Sequence, residues 1–270
     1  MTFPIRGILT LTRRLMGGGW LPLVLVTLLY LLPVWAVQYG QSFVMHSALR
    51  DVFFSAQGLG PAAWIFIAIT WFLRGFHMSA VTEIALRTAA SKPIRPGRLL
   101  LTATVNALPV LLLQTLLELI VAVGGVLLVV PGLFLGAAFS VVVPTYICEG
   151  KNIFEALRQS FKLTQHRQLP IAALWLAIFV VYGLATGSLY AVGTTMEAAV
   201  HWILPSLSLP FIPRPDPSSP FFSSPLGLLL GSVGRQVACV SLMVLNVSIY
   251  LGLRFHKTDS ADNEVAAIFE

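Results

Sequence analysis

Apolar residues in this chain do not recur with the spacing of an amphipathic helix or the alternation of a half-buried strand. They run on for a whole bilayer's width and then stop at short polar punctuation. Crossing the hydrocarbon core takes about 20 apolar residues in a helix. Six stretches reach or approach that length: Trp20–Gln38, Pro61–Ala80, Leu99–Val130, Leu133–Cys148, Pro170–Gly193 and Leu226–Leu253. Lipid offers no partner for backbone N–H and C=O groups, so each is expected to be helical. The short alternating segments that would close a barrel do not recur.

The lengths are uneven. At 1.5 Å per residue the third stretch is about 48 Å long and the fourth about 24 Å. The third is expected to tilt, to kink at Pro109 or to unwind near Gly124-Gly125. Pro131-Gly132, between the third and fourth, reads as a tight turn closing a helical hairpin.

Composition changes the picture by excluding the soluble classes. Of 270 residues, 57% are apolar and 10% charged, where a soluble domain carries roughly 25% charged. That is too little charge to wet a globule of this size. The net charge of +6 does not argue for nucleic acid, because the basic residues border hydrophobic spans. Arg6, Arg13, Arg14, Arg87, Lys92, Arg95, Arg98, Lys151, Arg158, Lys162, Arg167, Arg254 and Lys257 all fall on one side of a six-span layout. Arg50 and Arg214 fall on the other, and Arg74 and Arg235 lie inside spans. By the positive-inside rule both termini are cytoplasmic. Thr12-Arg13-Arg14 and Val34-Trp35-Ala36 do not make a cleaved signal: the apolar run is too long, and removing it would leave five spans.

Between the spans, Phe3–Met16 mixes Ile5, Ile8, Leu9 and Leu15 with three arginines and is expected to lie as a basic amphipathic helix on the cytoplasmic leaflet. Asn152 three residues before Glu155 is a capping-box pattern. It opens a second interfacial helix with Phe154, Leu157 and Phe161 at helical spacing. Phe43–Ala56 reads as a surface helix on the outer side. Residues 194–225 hold seven prolines and read as an extended outer loop. The polar tail, 258–270, reads as disordered.

Ionisable groups at membrane depth cost about 2.5–3.5 kcal/mol on insertion scales, so each needs a partner or a wet cavity. Arg74, Glu118 and Arg235 are such groups, with His77 and Gln114 as polar company. Counting from the cytoplasmic ends puts Glu118 and Arg235 level, at about 30 and 28 Å, and Arg74 lower, at about 20 Å. A Glu118–Arg235 pair is therefore expected, with Arg74, His77 and Gln114 just below. It serves either as a buried pair that fixes helix register or as a polar cavity for an anionic headgroup or small solute. Gly132-x-x-x-Gly136, Gly183-x-x-x-Gly187 and Gly227-x-x-x-Gly231 place small residues on one face of three successive spans, a helix-packing pattern.

No phosphate loop, metal-ligand cluster or paired carboxylates within a span are present, so no cofactor is expected. Cys148 and Cys239 read as small apolar fillers.

The run Val130-Pro131-Gly132, then Pro144, Glu149 and Asn152–Thr164 (NIFEALRQSFKLT) resembles uncharacterised bacterial inner-membrane proteins of the YciC type. More distantly it is similar to the membrane domain attached to some glycerophosphodiester phosphodiesterases. The resemblance implies a six-helix inner-membrane architecture and brings no catalytic residue with it; the chain has no room for a phosphodiesterase domain. The expected class is thus all-α: a polytopic bundle of six transmembrane helices with amphipathic interfacial helices on both sides. The expected role is a non-catalytic scaffold or accessory subunit tied to phospholipid or envelope homeostasis. Its partners would be membrane lipids and another membrane protein. A small transporter or permease subunit built on the Arg/Glu centre is the alternative.

Overall fold

The computed structural model describes residues 5–45, 54–55, 58–59, 61–127, 129–203 and 225–255. The regular secondary structure of the described residues is helical apart from one two-residue ladder. In order come α1 (Ile5–Gly18), α2 (Trp20–Met45), β1 (Phe54–Ser55), β2 (Gly58–Leu59), α3 (Pro61–Ala89), α4 (Pro96–Leu127) and α5 (Val129–Phe139). Then follow α6 (Val142–Glu149), α7 (Ile153–Thr164), α8 (Gln168–Ile203) and α9 (Pro225–Phe255). Among the described residues, four helical stretches are long and apolar enough to cross a membrane: Pro96–Gly124, Pro131–Glu149, Gln168–Met196 and Leu226–Arg254. A fifth is gained if α1 and the first part of α2, bent by 74°, act as one.

Two compact units share the chain. The first comprises residues 1–176 and 240–270. Its densest packing is between the consecutive helices α3 and α4, and α2 lies against α3 as well. Every residue from Gly75 to Arg87 is buried, so the second half of α3 is enclosed by protein rather than bathed by lipid. This explains why α3 can be long and yet carry His77, Glu83 and Arg87. Neighbouring helices, and not acyl chains, receive its polar groups.

The second unit, residues 177–239, holds parts of α8 and α9. Within it Gly193 lies against Gly227, and Gly231 against Tyr190. A β-carbon built at Gly193 would fall 2.7 Å from the Gly227 Cα, a backbone approach that only glycines allow.

Several expectations are corrected. Pro131-Gly132 is not the turn between the third and fourth stretches; it lies in the first turn of α5, where proline's missing N–H has no helical partner to lose. The fourth stretch is two helices, interrupted at Ser140-Val141. Pro144 accounts for the break, since its ring excludes the carbonyl of the residue four positions back, Ser140. Pro109, by contrast, stays within a continuous α4. The surface helix expected over Phe43–Ala56 is not formed at its end, because Phe54 and Ser55 pair antiparallel with Leu59 and Gly58. Residues 46–53 lie outside the described residues. The loop expected from residue 194 starts later, α8 continuing to Ile203. Residues 204–224 and the tail from 256 also lie outside the described residues.

α7 follows the sequence closely. The Asn152 side chain accepts a hydrogen bond from the Glu155 backbone N–H at 2.9 Å, the cap read from the sequence. Gly150, with φ +58°, ends α6 in the left-handed region and lets the chain reverse into α7.

Candidate functional site

The polar centre expected at membrane depth forms in part. Arg74 on α3 donates to the Glu118 carboxylate on α4. The Gln114 side-chain amide, one turn away on the same face, donates to the same carboxylate oxygen at 3.2 Å. Three of the five candidate residues thus make one constellation.

Its register is set by Gly75. A β-carbon there would lie 2.2 Å from the Ala107 carbonyl oxygen and 2.8 Å from the Leu111 side chain, so the α3 and α4 backbones almost touch at this level. Arg74, next to Gly75 in sequence, reaches along α4 to Glu118, seven residues or about two turns beyond Leu111. The pair is not enclosed: the side chains of Arg74 and Glu118 are 36% and 44% exposed.

The guanidinium that Glu118 meets is Arg74's, where depth had led to the expectation of Arg235. Arg235 is an exposed residue of the second unit. The depth count gave levels but could not give helix faces.

His77 does not join the constellation. It is 1% exposed, its ring stacks on Tyr30 of α2 at 4.9 Å between centroids, and it shares a hydrogen bond of 3.3 Å with Thr27. It fastens α2 to α3.

Two further carboxylates, neither among the candidates read from the sequence, are the more deeply buried ones. Glu83 pairs with Arg87 at 2.8 Å, one turn along α3, with side chains 6% and 7% exposed. Its second oxygen accepts from the Thr102 hydroxyl of α4. Glu149, at the end of α6, accepts from the Tyr250 hydroxyl at 3.1 Å and from Arg254, both on α9, and pairs with Lys151 as well. The sequence signal for these was available: Glu83 and Arg87 stand four apart on one helix face. Glu149, singled out only as part of a family-like motif, had no local partner to betray it.

Among the small-residue positions, Gly132 lies against Gly124 of α4, 2.8 Å from a β-carbon placed there. Gly136 lies against Trp175 and Val121. Gly227 and Gly231 make the contacts of the second unit described above. Gly183 and Gly187 do not pack: a β-carbon at either would meet nothing within 4 Å. Gly75 is closer to a neighbouring helix than any of them, yet belongs to no repeated motif.

The described residues contain no group of three or more His, Cys, Asp or Glu placed to hold a metal ion. No family model, no curated protein and no solved structure matches this chain.

Proposed function

We propose that this chain is a six-span bacterial inner-membrane protein without catalysis of its own, acting as a scaffold or accessory subunit with both termini in the cytoplasm. Four or five apolar helices support membrane residence. The enclosed α3 supports the additional crossing, because polar residues surrounded by protein need not be stripped of partners by lipid. A role in phospholipid or envelope homeostasis rests on the YciC-type resemblance of residues 130–164.

The observation that carries the scaffold reading is how the intramembrane polar residues are spent. Arg74, Glu118 and Gln114 satisfy one another on a half-exposed flank of α3 and α4. His77 faces the opposite task of holding α2. A solute site requires polar groups converging with unsatisfied capacity on a shielded space. Mutual neutralisation on a flank suits a surface that another membrane protein covers.

The test is charge removal, one residue and then two. Glu118→Gln leaves the Arg74 guanidinium without its counter-charge and should lower the amount of protein in the membrane fraction. Arg74→Gln with Glu118→Gln should restore it, since a neutral amide pair replaces the ions. Abundance equal to that of the parent chain in the Glu118→Gln variant would overturn the proposal. So would loss of solute uptake at full abundance, which is the transporter's signature.

A further inference from the structure

α7 has three distinct sides. Ala156, Ser160 and Thr164, spaced four apart, are buried. The Ser160 and Thr164 hydroxyls both donate to the Ala138 carbonyl of α5, at 3.0 and 2.8 Å, while Ala156 packs with Leu113 and Val142. This side fixes the helix to the protein. About 100° round the helix stand Phe154, 81% exposed, and Phe161, 45% exposed, seven residues apart and hence in one line along the axis. Beyond them come Arg158 and Lys162, both exposed.

Phenylalanine bared to water over four-fifths of its surface, next to two cations, is the pattern of a helix lying at an acyl–headgroup boundary.

The surroundings carry the same sign. Glu149, just before α7, binds Arg254 of α9, and Gly252 of α9 packs on Ile8 of α1. The two amphipathic helices therefore dock on one end of the first unit. α1 also turns Ile8 and Leu15 inward and leaves Ile5, Leu9, Arg6, Arg13 and Arg14 exposed. Glu149, its side chain 7% exposed, is consumed by the buried pairing described above. That leaves Glu155 as the exposed carboxylate on the described residues of α1, α7 and their neighbouring ends, against five exposed cations on α1 and α7 alone. Asp259, Asp262, Glu264 and Glu270 follow outside the described residues.

We propose that α7 binds the anionic phospholipids of the cytoplasmic leaflet, with Phe154 and Phe161 seated among the acyl chains and Arg158 and Lys162 on the phosphates, α1 extending the same surface. The proposal rests on the membrane reading above and adds the lipid class to it. An acidic protein partner would account for the cations but would leave the line of phenylalanines unexplained.

The test is hydrogen–deuterium exchange of residues 153–164 in the full chain, carried in nanodiscs of phosphatidylcholine alone or mixed with phosphatidylglycerol. Exchange should be slower in the anionic discs, by about fivefold for each cation engaged. The difference should vanish in roughly 0.5 M salt, where screening is short-ranged, and in the exposed-residue variant Arg158→Gln/Lys162→Gln. Phe154→Ser should speed exchange in both kinds of disc. Equal exchange of the parent chain in the two lipids would overturn the proposal, as would lipid-dependent protection that survives in the Arg158→Gln/Lys162→Gln chain. Failure of the chain to enter either disc would instead overturn the membrane reading itself.

Discussion

Glu83 and Arg87 make the most enclosed ion pair among the described residues, with Thr102 on the second carboxylate oxygen. A buried pair of this kind is weak evidence of net stabilisation, because two desolvations oppose one attraction. Breaking it is another matter, since the survivor is left charged and enclosed. Glu83→Gln is expected to cost about 3–5 kcal/mol, read as a lowered thermal midpoint of the purified chain in mild detergent. An unchanged midpoint would mean that water reaches Arg87. The sequence displayed both residues but not their burial. At the end of an apolar run, a Glu and an Arg read as the start of the aqueous loop, and only the neighbours that surround α3 keep them from water.

Between elements, close approach decides more than side-chain size. Gly75→Ala would put a methyl group 2.2 Å from the Ala107 carbonyl oxygen, forcing α3 and α4 apart and displacing Arg74 from Glu118. Overpacking of that sort costs about 1–3 kcal/mol, so the thermal midpoint should fall. Gly183→Ala meets open space and should leave the midpoint unmoved or raise it slightly, alanine being the better helix former by about 1 kcal/mol. If the two variants behave alike, the α3–α4 contact is looser than described. α7 offers a second element-scale test. Ser160→Ala with Thr164→Ala removes two hydroxyl bonds to the Ala138 carbonyl, each worth about 0.5–1.5 kcal/mol. Limited proteolysis should then cut within 153–164 sooner than in the parent chain.

Helix positions were legible from apolar run lengths, and the α7 cap from Asn152 and Glu155. Which glycines touch was not. A Gly-x-x-x-Gly spacing states that two small residues share a face; it does not state that another helix lies there. Gly75 works alone, opposite a carbonyl rather than a second glycine.

For the whole molecule, the number of crossings turns on α3. Among the described residues, span length and apolarity admit four helices, and five with the bent α1–α2 pair; the proposed topology takes α3 as the sixth. An odd count would put the termini on opposite sides and would split the thirteen cations that the charge pattern gathers on one. Run length alone cannot decide, because α3 is diluted by Arg74, His77, Glu83 and Arg87, and lipid would reject such a helix if it stood by itself. Enclosure of residues 75–87 by neighbouring protein, together with the Glu118 carboxylate on Arg74, removes that objection. Reporter fusions settle the count: a phosphatase active only outside the cytoplasm, joined after Gln57, should be active. Joined after Lys92, or at either terminus, it should be silent. Activity after Lys92 would show that α3 turns back without crossing, which would leave five spans and strand Arg95 and Arg98 on the outer face against the direction in which charge retention orients membrane helices.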